Sequence, residues 1–382
     1  MLPSYTAELT QSKSQVVQWL LVTLMIYLLL VAVGMIGSGF KWASGGADGA
    51  RQLFAFATNP VMGLVAGALA TAVVQSSSTV TSVIVGLVAG GLPVATAIPM
   101  VMGANIGTTV TNTLVSMGHI GKKKEFRRAF SAATVHDFFN LMAVIMFLPL
   151  EIMTGFLNKS SEVLASLLVE GDSVSIKGLN FVKVLTGPSV DLFRGFYASM
   201  PDLWAGIFLA LTGLAFIFIS IIHLGKLLKY LMVGKTKQIL HKAIGQGPAI
   251  GIFSGMMMTI AVQSSSTCTS LIVPMAGNGI FKLKEIYPFT LGANIGTTIT
   301  ALLAATAVHG AMGLFALQIA LVHLLFNVSA VLLIYSVPFL RNIPPTLARR
   351  FAQVASRNKW VVLAYVVGVF FILPAALVAI TA

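Results

Sequence analysis

The residues best suited to binding chemistry in this chain occur twice. The string Gln-Ser-Ser-Ser-Thr occupies positions 75–79 and returns at 263–267. The string Gly-Ala-Asn-Ile-Gly-Thr-Thr occupies positions 103–109 and returns at 292–298, so both strings are shifted along the chain by nearly the same interval. Polar strings repeated within apolar segments are typical of secondary transporters built from internal repeats. The sequence therefore predicts a duplicated half-protein with a polar site formed by both halves.

Each Gln-Ser-Ser-Ser-Thr string is predicted to form the tip of a re-entrant helical hairpin. Pro60 precedes Gln75 by the same interval as Pro248 precedes Gln263. A helix that fills this interval spans only about 22 Å of a hydrocarbon core about 30 Å thick. Serine favours the N-cap of the returning helix, whose first N–H groups lack helical partners and attract anions. The predicted anion-binding residues are Ser76, Ser77, Ser78, Thr79, Ser264, Ser265, Ser266 and Thr267.

The Gly-Ala-Asn-Ile-Gly-Thr-Thr strings are predicted to break a transmembrane helix in each half. Their paired glycines weaken helix continuity, and a break exposes carbonyl oxygens beside asparagine and threonine oxygens. Such oxygens are hard, neutral ligands, which suit Na⁺ by analogy with other hard cations. The predicted Na⁺-binding residues in these strings are Asn105, Thr108, Thr109, Asn294, Thr297 and Thr298.

Further polar residues fall inside predicted membrane spans. Asp137 is the only acidic residue within one, and because a charge in a membrane is costly, we expect it to bind a cation or a proton. His136 and Asn140 share a helix face at i and i+4, as do His323 and Asn327. We expect these histidines to be buried and satisfied by neighbouring polar groups rather than to bind a metal.

The duplicated strings contain no lysine or arginine, so a bound anion needs another source of positive charge. Two unit charges about 4 Å apart at an effective dielectric constant near 20 attract by roughly 4 kcal/mol. Cations bound beside the serine-rich tips would supply that energy. The residues alone therefore favour a symporter that carries an anion together with a cation.

Composition places the chain in a membrane. It is 57% hydrophobic and 9% charged, whereas soluble globular domains are about 25% charged. No charged residue occurs at 52–121 or at 286–340, and each stretch is long enough for more than one span of about 20 residues. We expect an all-α polytopic protein of the cell (inner) membrane, with the lipid bilayer as its partner, no cofactor besides Na⁺ as the coupling ion, and no obligate protein partner. The single cysteine, Cys268, excludes an internal disulfide.

The net charge of +13 indicates topology rather than nucleic-acid binding. Basic residues cluster at 122–128, 226–242 and 341–359. If the hairpins at 60–91 and 248–277 each enter and leave on one side, every cluster falls in the cytoplasm, as the positive-inside rule requires. The N-terminus is then cytoplasmic, the C-terminus is external and the two repeats have inverted topology. The predicted spans are about 16–36, 93–118, 126–150, 203–226, 286–308, 312–340 and 360–381.

The chain accordingly divides into six predicted segments. They are an N-terminal transmembrane helix and connector (1–50), repeat 1 with a hairpin, a broken helix and a helix (51–152), an external linker (153–202), a connecting helix and basic cytoplasmic loop (203–247), repeat 2 (248–340), and a basic cytoplasmic segment with a C-terminal transmembrane helix (341–382).

At these residues the sequence resembles the type II sodium-dependent phosphate cotransporter family, in a compact bacterial form. The resemblance is carried by both pairs of duplicated strings and by Phe-Arg-Arg-Ala-Phe at 126–130 followed by Ala-Thr-Val-His-Asp-Phe-Phe-Asn at 133–140. It covers about residues 60–150 and 248–333. It implies Na⁺-driven import of inorganic phosphate by alternating access, with phosphate between the two serine-rich tips. It also implies Na⁺ near Gln75, Gln263, Thr297, Thr298 and Asp137.

Two other functions remain open at this point. A Na⁺ symporter for another oxyanion or a dicarboxylate could use the same hairpins. An intramembrane serine hydrolase could use Ser76 or Ser264 as nucleophile and His136 or His323 as base. Duplication of both groups argues against the hydrolase, since catalysis needs one nucleophile and base pair. We therefore expect a transporter and not an enzyme.

Overall fold

The structure, a computed structural model, describes residues 3–46, 49, 52, 58–108, 110–170, 176–232, 244–308, 310–372 and 375–376. Within these residues the chain is helical and contains no strand, which confirms the predicted all-α class. The α-helices in chain order are α1 (Pro3–Ser44), α2 (Pro60–Val74), α3 (Ser77–Ala89), α4 (Val94–Gly107), α5 (Val110–Ser116), α6 (Lys123–Thr154), α7 (Phe156–Glu170), α8 (Ile176–Tyr197), α9 (Asp202–Met232), α10 (Pro248–Val262), α11 (Ser265–Gly277), α12 (Leu283–Ala305), α13 (Ala311–Ala330), α14 (Pro338–Arg357) and α15 (Trp360–Val367).

Six helical segments among the described residues are long and apolar enough to cross a membrane. They are Val16–Ser44, Val94–His119, Lys123–Thr154, Asp202–Leu228, Leu283–Ala305 and Met312–Tyr335. The protein is therefore a multi-pass membrane protein, and six of the seven predicted spans are confirmed as candidates. Where the seventh was predicted, at 360–381, the structure has a shorter apolar helix, Trp360–Ile372. Most of the rest of that prediction lies outside the described residues.

The helices around the two serine-rich strings have matching lengths. α2 and α10 each contain 15 residues, and α3 and α11 each contain 13. Pro60 and Pro248 begin the first helix of each pair. The N–H at the first position of a helix has no helical acceptor, so proline, which lacks this N–H, costs no hydrogen bond there. The duplication seen in the sequence thus extends to the lengths of the helices on either side of each serine-rich string. The re-entrant path and the inverted topology stay predictions.

The helix break predicted for the second half is not found, and the one predicted for the first half falls at Thr109, which lies outside the described residues. α4 ends at Gly107 and α5 begins at Val110, but α12 continues from Leu283 to Ala305 through the whole second string, so the break predicted there is wrong. The glycines serve close packing instead. A Cβ added to Gly292 would lie 1.8 Å from the carbonyl oxygen of Ile252 on α10. Only glycine permits this approach between α10 and α12.

Helices of the first half pack against helices of the second half. α3 contacts α12 and α13 of the second half, while α11 contacts α5 and α6 of the first half. One hydrophobic cluster runs through both halves. In it Phe147 meets Phe326 edge to face with ring centroids 5.8 Å apart, a preferred aromatic geometry. Side chains from both halves therefore meet in a shared interior, where a joint site can form.

The segment predicted as an external linker is mostly helical where it is described. α7 packs against α13, and α8 packs against α1 and α9. Glu151, near the end of α6, accepts hydrogen bonds from the backbone N–H groups of Leu157 at 2.6 Å and Asn158 at 3.3 Å. A carboxylate at a helix N-terminus is favourable because the unpaired N–H groups there carry partial positive charge. The linker therefore contacts α6 of the first half and α13 of the second half.

Candidate functional site

The structure brings both Gln-Ser-Ser-Ser-Thr strings to one cavity of about 290 Å³. The first string contributes its glutamine and three serines, and the second contributes all five residues. Side chains from α9 complete the wall. The lining residues are Val74, Gln75, Ser76, Ser77, Ser78, Ile221, Ile222, Gly225, Lys226, Gln263, Ser264, Ser265, Ser266 and Thr267. Thr79 is buried and is not among them.

Each tip turns at its glutamine. Gln75 and Gln263 have φ angles of 59° and 54°, and among the described residues they are the only non-glycine residues with positive φ. Their N–H groups donate to the carbonyl oxygens of Thr71 and Thr259 at 2.7 Å, which ends α2 and α10. A glutamine in the left-handed region is strained, and such strain persists where the surroundings determine the conformation and clusters at functional sites. The turn therefore marks both tips as candidate binding elements.

The end residues of each Ser-Ser-Ser-Thr run bond to one another. Ser76 Oγ accepts from the backbone N–H of Thr79 at 3.2 Å and from its hydroxyl at 2.8 Å. In the second tip Ser264 Oγ accepts from the N–H of Thr267 at 3.2 Å and donates to its hydroxyl at 2.9 Å. These serines are therefore N-caps of α3 and α11. They stabilise the helix starts.

The middle serines of each tip keep their hydroxyls available. Ser77, Ser78, Ser265 and Ser266 line the cavity, and within the described part of the chain no hydrogen bond uses their Oγ atoms. The backbone N–H groups at these positions belong to the first turns of α3 and α11, where no helical acceptor exists. The cavity is thus bordered from both halves by hydroxyl and N–H donors, an arrangement that suits an anion.

The two glutamine side chains connect each tip to the next helix of its own half. Gln75 Oε1 accepts from the Thr111 hydroxyl at 2.7 Å, and Gln263 Oε1 accepts from the Thr300 hydroxyl at 2.8 Å. The two threonines occupy equivalent positions of the repeat, since each follows its Gly-Ala-Asn-Ile-Gly-Thr-Thr string at the same place. The motifs alone do not predict these two contacts, although the equivalent positions of Thr111 and Thr300 are visible in the sequence. Each glutamine oxygen retains a second lone pair for a further ligand.

The threonines predicted to bind Na⁺ donate to their own helices. Thr108, Thr297 and Thr298 give their hydroxyl hydrogens to the carbonyl oxygens of Ala104 at 3.1 Å, Ala293 at 2.9 Å and Ile295 at 2.7 Å, respectively. A hydroxyl whose hydrogen is used in this way presents only lone pairs elsewhere. These oxygens can therefore serve a cation. Thr109 lies outside the described residues.

The remaining asparagines and histidines form a crossed network between the halves. In the first arm, Asn105 Oδ1 accepts from His323 Nε2 at 3.1 Å, and Asn105 Nδ2 donates to Asn327 Oδ1 at 2.9 Å. This arm joins α4 to α13. Asn105 of the first half is therefore hydrogen-bonded to the helix of the second half that carries His323.

The second arm of the crossed network repeats the first with the halves exchanged. Asn294 Oδ1 accepts from His136 Nε2, and Asn294 Nδ2 donates to Asn140 Oδ1 at 2.7 Å. All six residues of the network are at most 5% exposed. The histidines are buried as expected, but the expectation that neighbouring polar groups satisfy them is confirmed for Nε2 only, because the Nδ1 atom of each ring has no hydrogen-bond partner among the described residues. The pairing that the alternative hydrolase would need is not formed, because both rings hydrogen-bond asparagines rather than Ser76 or Ser264.

Asp137 is buried, with 6% of its surface exposed. Its Oδ2 accepts a hydrogen bond from the hydroxyl of Tyr365 on α15 at 2.6 Å. The sequence does not predict this contact, since no motif links α15 to α6. Asp137 is not among the residues that line the cavity between the tips. Any cation it holds would thus be separate from the serine cluster.

Lys226 is a further site residue that the sequence does not predict. It was assigned to the basic cytoplasmic rim, but from α9 it lines the same cavity as both serine-rich tips. The duplicated strings contain no cation, yet the cavity has one. Nothing in the local sequence distinguishes Lys226 from the rim cations that follow it, because its place in the wall depends on how α9 packs.

Comparison with known proteins identifies relatives over most of the chain. A family model described as "Na+/Pi-cotransporter" matches residues 28–169 and 216–339. The chain is 34% identical to "Sodium-dependent phosphate transport protein 2A" of Ovis aries, covering 91% of this chain and 65% of the relative. The protein of the same name from Rattus norvegicus is 33% identical, with 97% and 69% covered. "Sodium-dependent phosphate transport protein 2B" of Homo sapiens is 31% identical, with 91% and 63% covered.

The chain thus spans about two thirds of the length of these relatives. No solved structure matches it.

Proposed function

The chain belongs to the Na+/Pi-cotransporter family, and from that premise we propose that it is a secondary active symporter that imports inorganic phosphate together with Na⁺. Proteins of this family are transporters and not enzymes. The related proteins named above are sodium-dependent phosphate transport proteins. We extend that description to this chain and assign phosphate binding and Na⁺ binding to its residues.

The observation that carries the proposal is the shared cavity. Two serine-rich tips, one from each half, border about 290 Å³, and the hydroxyls and N–H groups of their middle serines have no other described partner. Inorganic phosphate carries several acceptor oxygens, which such donors would satisfy from opposite sides. We assign phosphate to Ser77, Ser78, Ser265 and Ser266. Ser76, Thr79, Ser264 and Thr267 act mainly through the caps that position them.

The proposed Na⁺ ligands fall into two groups. The threonine hydroxyls and the glutamine amide oxygens keep lone pairs, so Gln75, Gln263, Thr108, Thr109, Thr297 and Thr298 are the primary candidates beside the tips, with Asp137 as a separate acidic site. Asn105 and Asn294 rank behind these residues in the proposed set, because both side chains are engaged in the crossed network and the Asn105 backbone oxygen accepts from Asn140 Nδ2 at 2.8 Å. Na⁺ bound here would offset the phosphate charge.

Alternating access follows from the predicted inversion of the halves. Lys226 lies near the end of α9 that the charge pattern places in the cytoplasm. A cavity that includes Lys226 would then be reached from the cytoplasm, so we assign this structure to the inward-open state. Movement of the second half relative to the first would close this route and open the opposite one.

The test is phosphate uptake into proteoliposomes. With an inward Na⁺ gradient we expect labelled phosphate to accumulate above its external concentration, and with K⁺ or choline in place of Na⁺ we expect none. Equal uptake in all three salts would contradict coupling to Na⁺. Sulfate, arsenate and dicarboxylates offered as competitors in excess would show whether the site takes another oxyanion, since a preferred substrate would abolish the phosphate signal.

Lys226 gives a second testable consequence of this proposal. A cation about 8 Å from the anion, at an effective dielectric constant near 40, contributes about 1 kcal/mol. Lys226→Gln is therefore expected to raise the phosphate concentration for half-maximal uptake about fivefold at low ionic strength, and less at high salt because of screening. Lys159→Gln, which removes an exposed charge elsewhere, is the control. Equal effects of both variants would contradict a local role for Lys226.

A further inference from the structure

A second cavity, unrelated to the serine-rich tips, is lined by positive charge. It has a volume of about 890 Å³ and lies between the start of α6, the turn from α11 to α12, and α14. It is distinct from the phosphate cavity, with which it shares no lining residue. Its cations are Lys124, Arg127, Arg128, Lys282, Lys284 and Arg349.

These cations have no carboxylate partner within the described part of the chain. Glu125 instead accepts from Lys122 at 3.0 Å and lies 3.3 Å from the His119 ring, outside the cavity lining. Glu285 accepts from the backbone N–H of Lys282 at 2.7 Å and caps α12. No acidic residue lines the cavity. Six like charges around one space repel each other unless an anion from outside compensates them.

The cavity also lies where two candidate membrane spans begin. The spans Lys123–Thr154 and Leu283–Ala305 both start at its wall, so the partial positive ends of two helices point toward the same region. α14 borders it and buries Ala348, Ala352 and Ala355 against the protein. The cavity is therefore placed at the end of the membrane-spanning layer, not within it.

The outer surface of α14 supports the same placement. Leu347 and Val354 are exposed on it, at 40% and 53%, next to arginines. Trp360, which follows at the start of α15, is 74% exposed. A helix with exposed apolar groups beside basic ones, followed by an exposed tryptophan, is typical of the boundary between lipid tails and headgroups.

We infer that this basic cavity binds the phosphate-bearing headgroup of an anionic phospholipid. Basic pockets between transmembrane helices are suited to such headgroups, and guanidinium groups pair with phosphate through two parallel hydrogen bonds. The bound headgroup would contact α6 of the first half, α12 of the second half and α14. This inference does not depend on the transported substrate.

The experiment is lipid retention by the purified full-length protein, measured by native mass spectrometry in detergent. The probes are dioleoyl phosphatidylglycerol, which is anionic, and dioleoyl phosphatidylcholine, which is zwitterionic. We expect at least tenfold tighter binding of phosphatidylglycerol by the unmodified protein. The variant Arg127→Gln/Arg128→Gln/Lys284→Gln is expected to bind it roughly 100-fold more weakly, because each basic residue near an anionic lipid contributes about a factor of five. Lys284→Gln alone should lose about fivefold if the triple variant does not fold.

The matched control is Lys41→Gln/Lys159→Gln/Arg194→Gln, which removes the same charge at exposed positions outside the cavity and away from α14. It should retain phosphatidylglycerol within about threefold of the unmodified protein. An equal loss in both triple variants would overturn the inference, as would equal binding of the two lipids. Binding of soluble tripolyphosphate without any preference for phosphatidylglycerol would also overturn it, by assigning the cavity to a soluble polyanion.

Discussion

Replacing Ser78 or Ser266 with alanine is expected to weaken phosphate binding by roughly 10- to 150-fold. Both hydroxyls border the cavity between the tips and are unused by the rest of the described chain. A hydrogen bond to a charged group contributes about 1.5 to 3 kcal/mol, and its loss leaves a phosphate oxygen underpaired. The measurement is the phosphate dependence of uptake at saturating Na⁺, for each variant in proteoliposomes with equal protein content.

Ser270→Ala is the matched control for these two variants. Its hydroxyl donates to the carbonyl oxygen of Thr267 at 3.0 Å, on the same helix as Ser266 but outside the cavity lining. We expect its phosphate dependence to stay within about twofold of the unmodified protein. If the tip variants reached the membrane in normal amounts with unchanged phosphate dependence, the serines would be helix-packing groups and the assignment of phosphate would be wrong.

Asn294→Ala is expected to lower the free energy of unfolding by about 1 to 3 kcal/mol. The change removes two hydrogen bonds of the crossed network and leaves the buried His136 Nε2 and Asn140 Oδ1 atoms without their partner. Polar contacts between membrane helices contribute about 0.6 kcal/mol on average and up to about 1.7 each. The measurement is unfolding by sodium dodecyl sulfate in mixed micelles, followed by loss of helical signal.

The equivalent change in the other arm, Asn105→Ala, should have a similar effect because it removes the partner of His323 and Asn327. Asn342→Ala serves as control, since that exposed side chain donates only to the carbonyl oxygen of Pro338 in its own helix. A loss for Asn294→Ala no greater than for Asn342→Ala would show that the network contributes nothing to stability. Full loss of uptake with unchanged stability would instead indicate a direct role in ion binding.

Much of the fold could be predicted because the relevant signals are local. Long apolar runs define spans by length alone, and a proline at the same distance before each Gln-Ser-Ser-Ser-Thr string defines both tip helices. The i, i+4 spacing of His136 and Asn140 also showed that they share a helix face. Spacing in the sequence could not identify their hydrogen-bond partner in the other half. That partner, Asn294, depends on packing between the halves.

Neither the continuity of α12 nor the position of Lys226 in the cavity wall could be predicted from the sequence, because both depend on packing between helices. The string Gly-Ala-Asn-Ile-Gly-Thr-Thr predicts a break in both helices, yet α12 continues through the second copy. Glycine weakens a helix but also permits close approach of a neighbouring backbone, and neighbours decide which effect prevails. Lys226 is likewise one of several cations in sequence, and only the packing of α9 places it at the cavity. The contact between Tyr365 and Asp137 joins distant parts of the chain in the same way.

The crossed network has a consequence for how such a chain could have arisen. Asn105 finds its side-chain partners on the second half, and Asn294 finds its partners on the first. A half-length ancestor folding alone would bury a histidine and two asparagines with an incomplete set of hydrogen bonds, which is costly. Two identical copies placed against each other would complete both sets. Association as a dimer is therefore expected to have come before gene fusion, and the fused protein keeps the old subunit interface as its interior.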